Sequence, residues 1–221
     1  LLCAGNLAIA ERLAPAFRPS SGDDDLIERY HELVGDRTGL VRYSVSITLA
    51  VMVGASLGSS WNEWVLFTNA VDWGAKDATF DTDIGFCVFR LPFLRFLVSR
   101  LMTSLILAAI VALIGHYLMG SIRLRANERA VEPGAKIHLS VLAALLAVTE
   151  GVEFWLSRYS LVRSERGFAQ GAFFTDVTAV LPGLTLMALL CVVVGGLFVV
   201  NIRRRGISLP LVGVALLVFG S

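Results

Sequence analysis

From Pro92 to Met119 the sequence runs for 28 residues with only two charged side chains, Arg95 and Arg100. At 1.5 Å per residue a helix of that length covers about 42 Å. That exceeds the ~30 Å hydrocarbon core of a bilayer. Three other stretches have the same character, about 41–60, 137–157 and 181–201, and two shorter ones lie at the ends, 1–10 and 208–221. Inside a bilayer each backbone N–H and C=O must find its partner within the chain, so such stretches read as helices. The expected fold class is therefore all-α, a polytopic transmembrane helix bundle of four full spans and two partial ones. The end stretches are too short to cross, and the sequence does not open on Met, which predicts a fragment of a longer chain. Composition fits a membrane protein: 56% of residues are hydrophobic and 17% charged, with a mean hydropathy of +0.72, whereas a soluble domain is about a quarter charged.

Proline marks the expected helix starts, because a first-turn residue loses nothing by lacking an N–H. Pro92 opens the third stretch. Thr178 is expected to cap the fifth, with Pro182 in its first turn, and Ser208 the last, with Pro210. Basic residues then set the orientation. Loops 11–42, 120–136 and 202–207, with residues at their edges, carry twelve Lys and Arg, against five in 61–91 and 158–180. The first set is expected on the cytoplasmic side of the plasma membrane and the second outside. Trp61, Trp64 and Trp73 sit among polar residues in W-N-E-W-V-L-F-T-N-A-V-D-W, which suits a short helix lying in the headgroup region. In the first loop Leu26, Ile27, Tyr30, Leu33 and Val34 form one apolar stripe behind Asp23–Asp25. This predicts a helix packed on the membrane or on neighbouring loops.

Charges within apolar stretches are the first candidates for function. Arg90, Arg95 and Arg100 stand near one end of the third stretch, and Glu150 and Glu153 near the matching end of the fourth. Counting inward pairs Arg95 with Glu153 and Arg100 with Glu150 in depth. At about 100° per residue, however, Arg95 and Arg100 point roughly 140° apart and the two acids only about 60°. One good ion pair between these helices is expected, with the other arginine reaching toward headgroups. His116 and His138 lie at facing span ends and read as interfacial residues, since no third ligand at metal spacing accompanies them. Ala50, Gly54 and Gly58 make a small-residue face that lets a helix approach closely, in the same chain first and in a second copy otherwise. Cys3 and Cys191 read as small buried hydrophobes. Asp176 reads as a cap. Nucleophile elbows, zinc-protease motifs and phosphate loops are missing from the sequence. No cofactor, metal or nucleic acid is expected.

Four segments carry a family likeness: Trp73–Phe96 (W-G-A-K-D-A-T-F-D-T-D-I-G-F-C-V-F-R-L-P-F-L-R-F), His116–Leu124, Phe154–Gly167 and Phe174–Pro182. In order and spacing they resemble a family of large multispanning proteins, mostly actinobacterial, that carries an "uncharacterised protein family" label. The resemblance implies about seven N-terminal spans followed by a large extracytoplasmic domain and an acidic tail, with no activity to carry over. Arg90, Arg100, Glu150 and Glu153 depart from the family pattern together, which favours a mutually compensating charge network. The expected function is a non-enzymatic membrane module that anchors the exported domain and acts through envelope proteins or a second copy of itself. The alternative is a transporter or channel subunit that uses the intramembrane charges.

Overall fold

Proline shapes the two most apolar helices, but from inside them. In the computed structural model, which describes residues 1–14, 34, 37–55, 58–124, 129–163 and 174–203, the third stretch is helical well before Pro92. Residues Phe86–Arg90 form a π-helical turn that runs without a break into α4, Leu91–Leu118. Asp176–Val180 form a second one ahead of α6, Leu181–Arg203. The cause is the same in both. A proline within a helix cannot donate to the carbonyl four residues back and presses on it. Widening the turn by one residue lets Leu91 N–H reach Phe86 O and Leu181 N–H reach Asp176 O. Thr178 is thus no N-cap: it sits inside the wide turn and its hydroxyl donates to Phe174 O at 2.6 Å.

The other helices are α1 (Leu2–Leu13), α2 (Thr38–Ala55), the short α3 (Trp61–Thr68) and α5 (Pro133–Ser160). Among the described residues four helical segments are long and apolar enough to cross a membrane: Thr38–Ala55, Phe86–Leu118, Pro133–Ser160 and Asp176–Ile202. The stretch after Ser208 and the predicted helix over residues 23–34 lie outside the described residues, apart from Val34. Between α4 and α5 a small antiparallel ribbon joins β1 (Ile122–Leu124) to β2 (Arg129–Val131), with Ile122 opposite Val131. The sequence reading had only a loop there.

Small residues draw α5 and α6 together. A Cβ on Gly151 would stand 3.1 Å from Cys191 Cβ and 3.2 Å from Ala188 O, and one on Gly195 would stand 3.1 Å from Val148 Cγ2. Ala144, Ala147, Ala188 and Cys191 are buried in the same seam. Dispersion between close backbones is the main attraction available where lipid is as apolar as the side chains. On the other flank α1 lies on α4, with Leu7 against Gly115, and on α5, with Leu13 against Gly134. Helix α2 stands further out: Val51 and Met52 are 65% and 66% exposed, a surface suited to lipid.

Candidate functional site

Polar chemistry collects at the two ends of the bundle. At the end that carries the tryptophans, residues 70–85 fold around two carboxylates. Asp77 Oδ2 accepts from Thr79 and Phe80 N–H. Asp83 accepts from the N–H groups of Trp73, Gly74 and Gly85 at 3.0, 2.9 and 2.7 Å. Those donors, Trp73 foremost, hold the Asp83 carboxyl below the usual carboxylate range, and the Arg90 charge adds to the effect. Gly74 has φ of +71°, and a Cβ on Gly85 would run into Val71 O. Arg90 also reaches Asp72 at 3.8 Å across an exposed surface. Aromatic rings fasten this cap to the helices: Trp64 and Phe67 pack on Phe93, Trp73 meets Phe89, and Phe80 and Phe86 meet Tyr159.

Below the cap Arg95 and Glu153 are brought together. Arg95 Nε and Nη2 both donate to Glu153 Oε1, at 3.0 and 2.8 Å. Arg100 lies over the Phe96 ring, 5.2 Å from its centroid. Glu150 sits one turn before Glu153 on α5 at intermediate exposure. Arg158, not singled out from the sequence, stacks on Trp155 at 4.1 Å.

The ribbon end brings the two histidines together. His116 is fully buried and His138 is 7% exposed, so both are packed inside the protein. His116 Nε2 and His138 Nδ1 are 3.0 Å apart, and His138 Nε2 is 2.8 Å from Asn6 Oδ1. Asn6 Nδ2 donates to Leu2 O at 2.7 Å, which fixes the amide orientation. An amide oxygen only accepts, so His138 carries its proton on Nε2, and His116 Nε2–H then donates to His138 Nδ1. Ser140 and Asn201 are also buried, 3.5 Å apart between Oγ and Nδ2. No group of three or more His, Cys, Asp or Glu side chains is placed to hold a metal among the described residues. Asn6 was missed because a single asparagine in an apolar stretch gives no spacing signal.

Ala50 and Gly54 line an open cavity of about 310 Å³ together with Leu2, Ser104 and Leu107. Among the described residues, no atom beyond the local backbone approaches within 4 Å of where a Cβ on Gly54 or Gly58 would stand. The tight helix contact lies instead at the α5–α6 seam.

The sequence profile of the family described as Uncharacterised protein family (UPF0182) matches residues 1–221. The chain belongs to that family. UPF0182 proteins of Frankia casuarinae, Thermobifida fusca and Mycobacterium avium are 37%, 35% and 38% identical to it over 216, 212 and 218 residues. The matches cover 98%, 96% and 97% of this chain but only 21%, 21% and 22% of those UPF0182 proteins. The chain thus spans about a fifth of the length of its relatives. No solved structure matches it.

Proposed function

We propose that this segment is a non-enzymatic membrane module that holds a large extracytoplasmic domain in the cell envelope and acts through protein partners. One observation carries the reading: four span-length apolar helices lie in a chain that makes up only about a fifth of its relatives. A segment so dominated by lipid-facing helices suits attachment, and it leaves most of each relative's length for work elsewhere. The aromatic cap at residues 70–85 supports the reading too. It is a compact, hydrogen-bonded platform joined to the wide turn before α4 and to the end of α5 by edge-on and tilted ring contacts, fit to bear an attached domain.

In this proposal loops 11–42, 120–136 and 202–207 face the cytoplasm of a plasma-membrane protein, and 61–91 and 158–180 face outward. The Lys and Arg bias between the two sets supports that orientation. The charges of the transporter alternative bear on it as well. Arg95 and Glu153 are bound to each other at one end of their helices, a placement suited to fixing helix orientation.

The test uses the full-length protein. Reporter fusions at residues 70 and 126 check sidedness. Purification from native membranes checks for a stable partner, and reconstitution in liposomes checks flux. A co-purifying envelope protein and liposomes as tight as protein-free ones are expected. Flux that disappears with Glu150→Gln and Glu153→Gln would overturn the proposal in favour of transport.

A further inference from the structure

A buried hydrogen-bond chain at the ribbon end stops one group short. It runs from Asn6 through His138 to His116. With His116 Nε2–H directed at His138, the neutral ring leaves Nδ1 as a bare acceptor. That nitrogen is buried and has no hydrogen-bond partner among the described residues. The Ser121 hydroxyl is in the same condition, with the residue 0% exposed and Oγ unpartnered. A buried polar atom left without a partner is costly, so two of them at one helix end call for an account.

The backbone brings the two residues together. Helix α4 ends in a Schellman turn: Ser121 N–H donates to His116 O at 2.9 Å and Gly120 N–H to Tyr117 O at 3.0 Å, with Gly120 at φ +70°. That turn normally sets the side chains of its two 6→1 partners against each other as an apolar contact. Here those positions hold His116 and Ser121. The pair therefore has the parts of a site that neutral histidines leave incomplete. A proton on His116 Nδ1 would turn that acceptor into a donor, and Ser121 Oγ, held at the same helix end by the Schellman turn but not hydrogen-bonded to the ring, would accept from it through one water.

Among the described residues, the side chain hydrogen-bonded to the ring pair, Asn6, is neutral. It faces the rings from α1. Ser140 lies two residues on from His138 in α5 and is joined to Asn201 of α6. The charged groups of this end stand at the helix termini. Glu11 is paired with Arg42 of α2, Arg12 lies in the last turn of α1, and Glu132 and Lys136 lie at the start of α5.

We propose that His116, His138 and Ser121 form a buried proton-binding site that takes up one exchangeable proton from the ribbon side. This goes beyond the anchoring role and does not depend on it. A proton from water adds to the Nδ1 lone pair of His116. The resulting charge is shared with His138, because the hydrogen between the two rings can pass from His116 Nε2 to His138 Nδ1. His138 Nε2–H stays on Asn6 throughout. One proton enters and none leaves, so the pair holds a single positive charge.

Ring-nitrogen NMR on the full-length protein, labelled with ¹⁵N-histidine in liposomes, tests this between about pH 5 and 8. Signals are assigned with His116→Gln and His138→Gln. The expected result is one imidazolium for the two rings, lost in His116→Gln. Ser121→Ala, a small change in the turn after α4, should cut the cationic population at a given pH about tenfold by removing an acceptor for a charged donor. Two rings that stay neutral with fixed tautomers across the range would overturn the proposal. So would a Ser121→Ala titration that superimposes on wild type.

Discussion

The contact between Arg95 and Glu153 predicts an asymmetry that a simple salt bridge lacks. Both guanidinium donors go to one oxygen, Oε1, and Glu153 Oε2 is buried with no partner among the described residues. Arg95→Gln therefore leaves a carboxylate stranded on both oxygens. Glu153→Gln leaves an arginine that is long enough to reach the headgroups, and Arg95 is already 41% exposed. Two unit charges about 4 Å apart attract by about 1 kcal/mol in water and about 4 kcal/mol at an effective dielectric of 20. A pair near a membrane surface lies between those limits. We expect Arg95→Gln to cost about 2–3 kcal/mol, near the cost of an unpaired charge in a span. Glu153→Gln should cost about 1 kcal/mol, and the double variant should show a coupling of about 1–2 kcal/mol. The assay is denaturant-driven unfolding of the full-length protein in mixed micelles, with all four members of the cycle. Equal costs for the two single variants, or a coupling under about 0.5 kcal/mol, would refute the reasoning.

Other parts of the fold give sharper or simpler outcomes. Gly151→Leu should force α5 from α6 and lower stability by about 1–3 kcal/mol, read as a drop in Tm, because Cys191 and the Ala188 carbonyl already crowd the site. Gly151→Ala should nearly break even, since helix propensity returns up to about 1 kcal/mol. Pro92→Ala restores an N–H and should let the wide turn relax to an α-turn, rotating the residues before it by about 100°. Cys87, 1% exposed in the folded protein, should then react with a thiol reagent that spares wild type. The depressed Asp83 carboxyl contributes stability that is present above its unfolded pKa of about 3.9 and fades as pH falls through the lower folded value. Acid should thus loosen the 70–85 cap of wild type, followed by Trp73 fluorescence. In Asp83→Asn the cap should be looser at neutral pH and respond less to acid.

The helices were legible because solvent is the strongest pattern-maker in this sequence. Long runs such as 92–119 have few homes outside lipid, whatever their details. The Arg95–Glu153 contact was legible for a related reason, since depth in a membrane is countable along a helix and burial drives charges to pair. The wide turns were not. Leu-Pro reads as a helix start or as a helix interior with equal ease, and the choice depends on whether the preceding turn can open to five residues. The histidine pair was visible only as two residues at facing span ends. Its burial depends on α1 lying across α4 and α5, and on a ribbon between residues 118 and 133 that aligns the two helix ends. The α5–α6 seam escaped notice because alanines are too common in apolar stretches for Ala144, Ala147 and Ala188 to stand out, whereas Gly54 drew attention to a face that lines an open cavity instead.

The two wide turns also say where this chain can change length. A π-turn holds one residue more than the α-turn it replaces. Deleting a single residue from Phe86–Arg90 or from Asp176–Val180 would close that turn and leave every residue after the proline in its original phase. The same deletion at Ala108 or Ala188 would swing half the helix by about 100° and bring lipid-facing side chains into the seam. Gaps of one residue among related sequences should therefore gather just upstream of Pro92 and Pro182, where the helix already carries the residue it can spare.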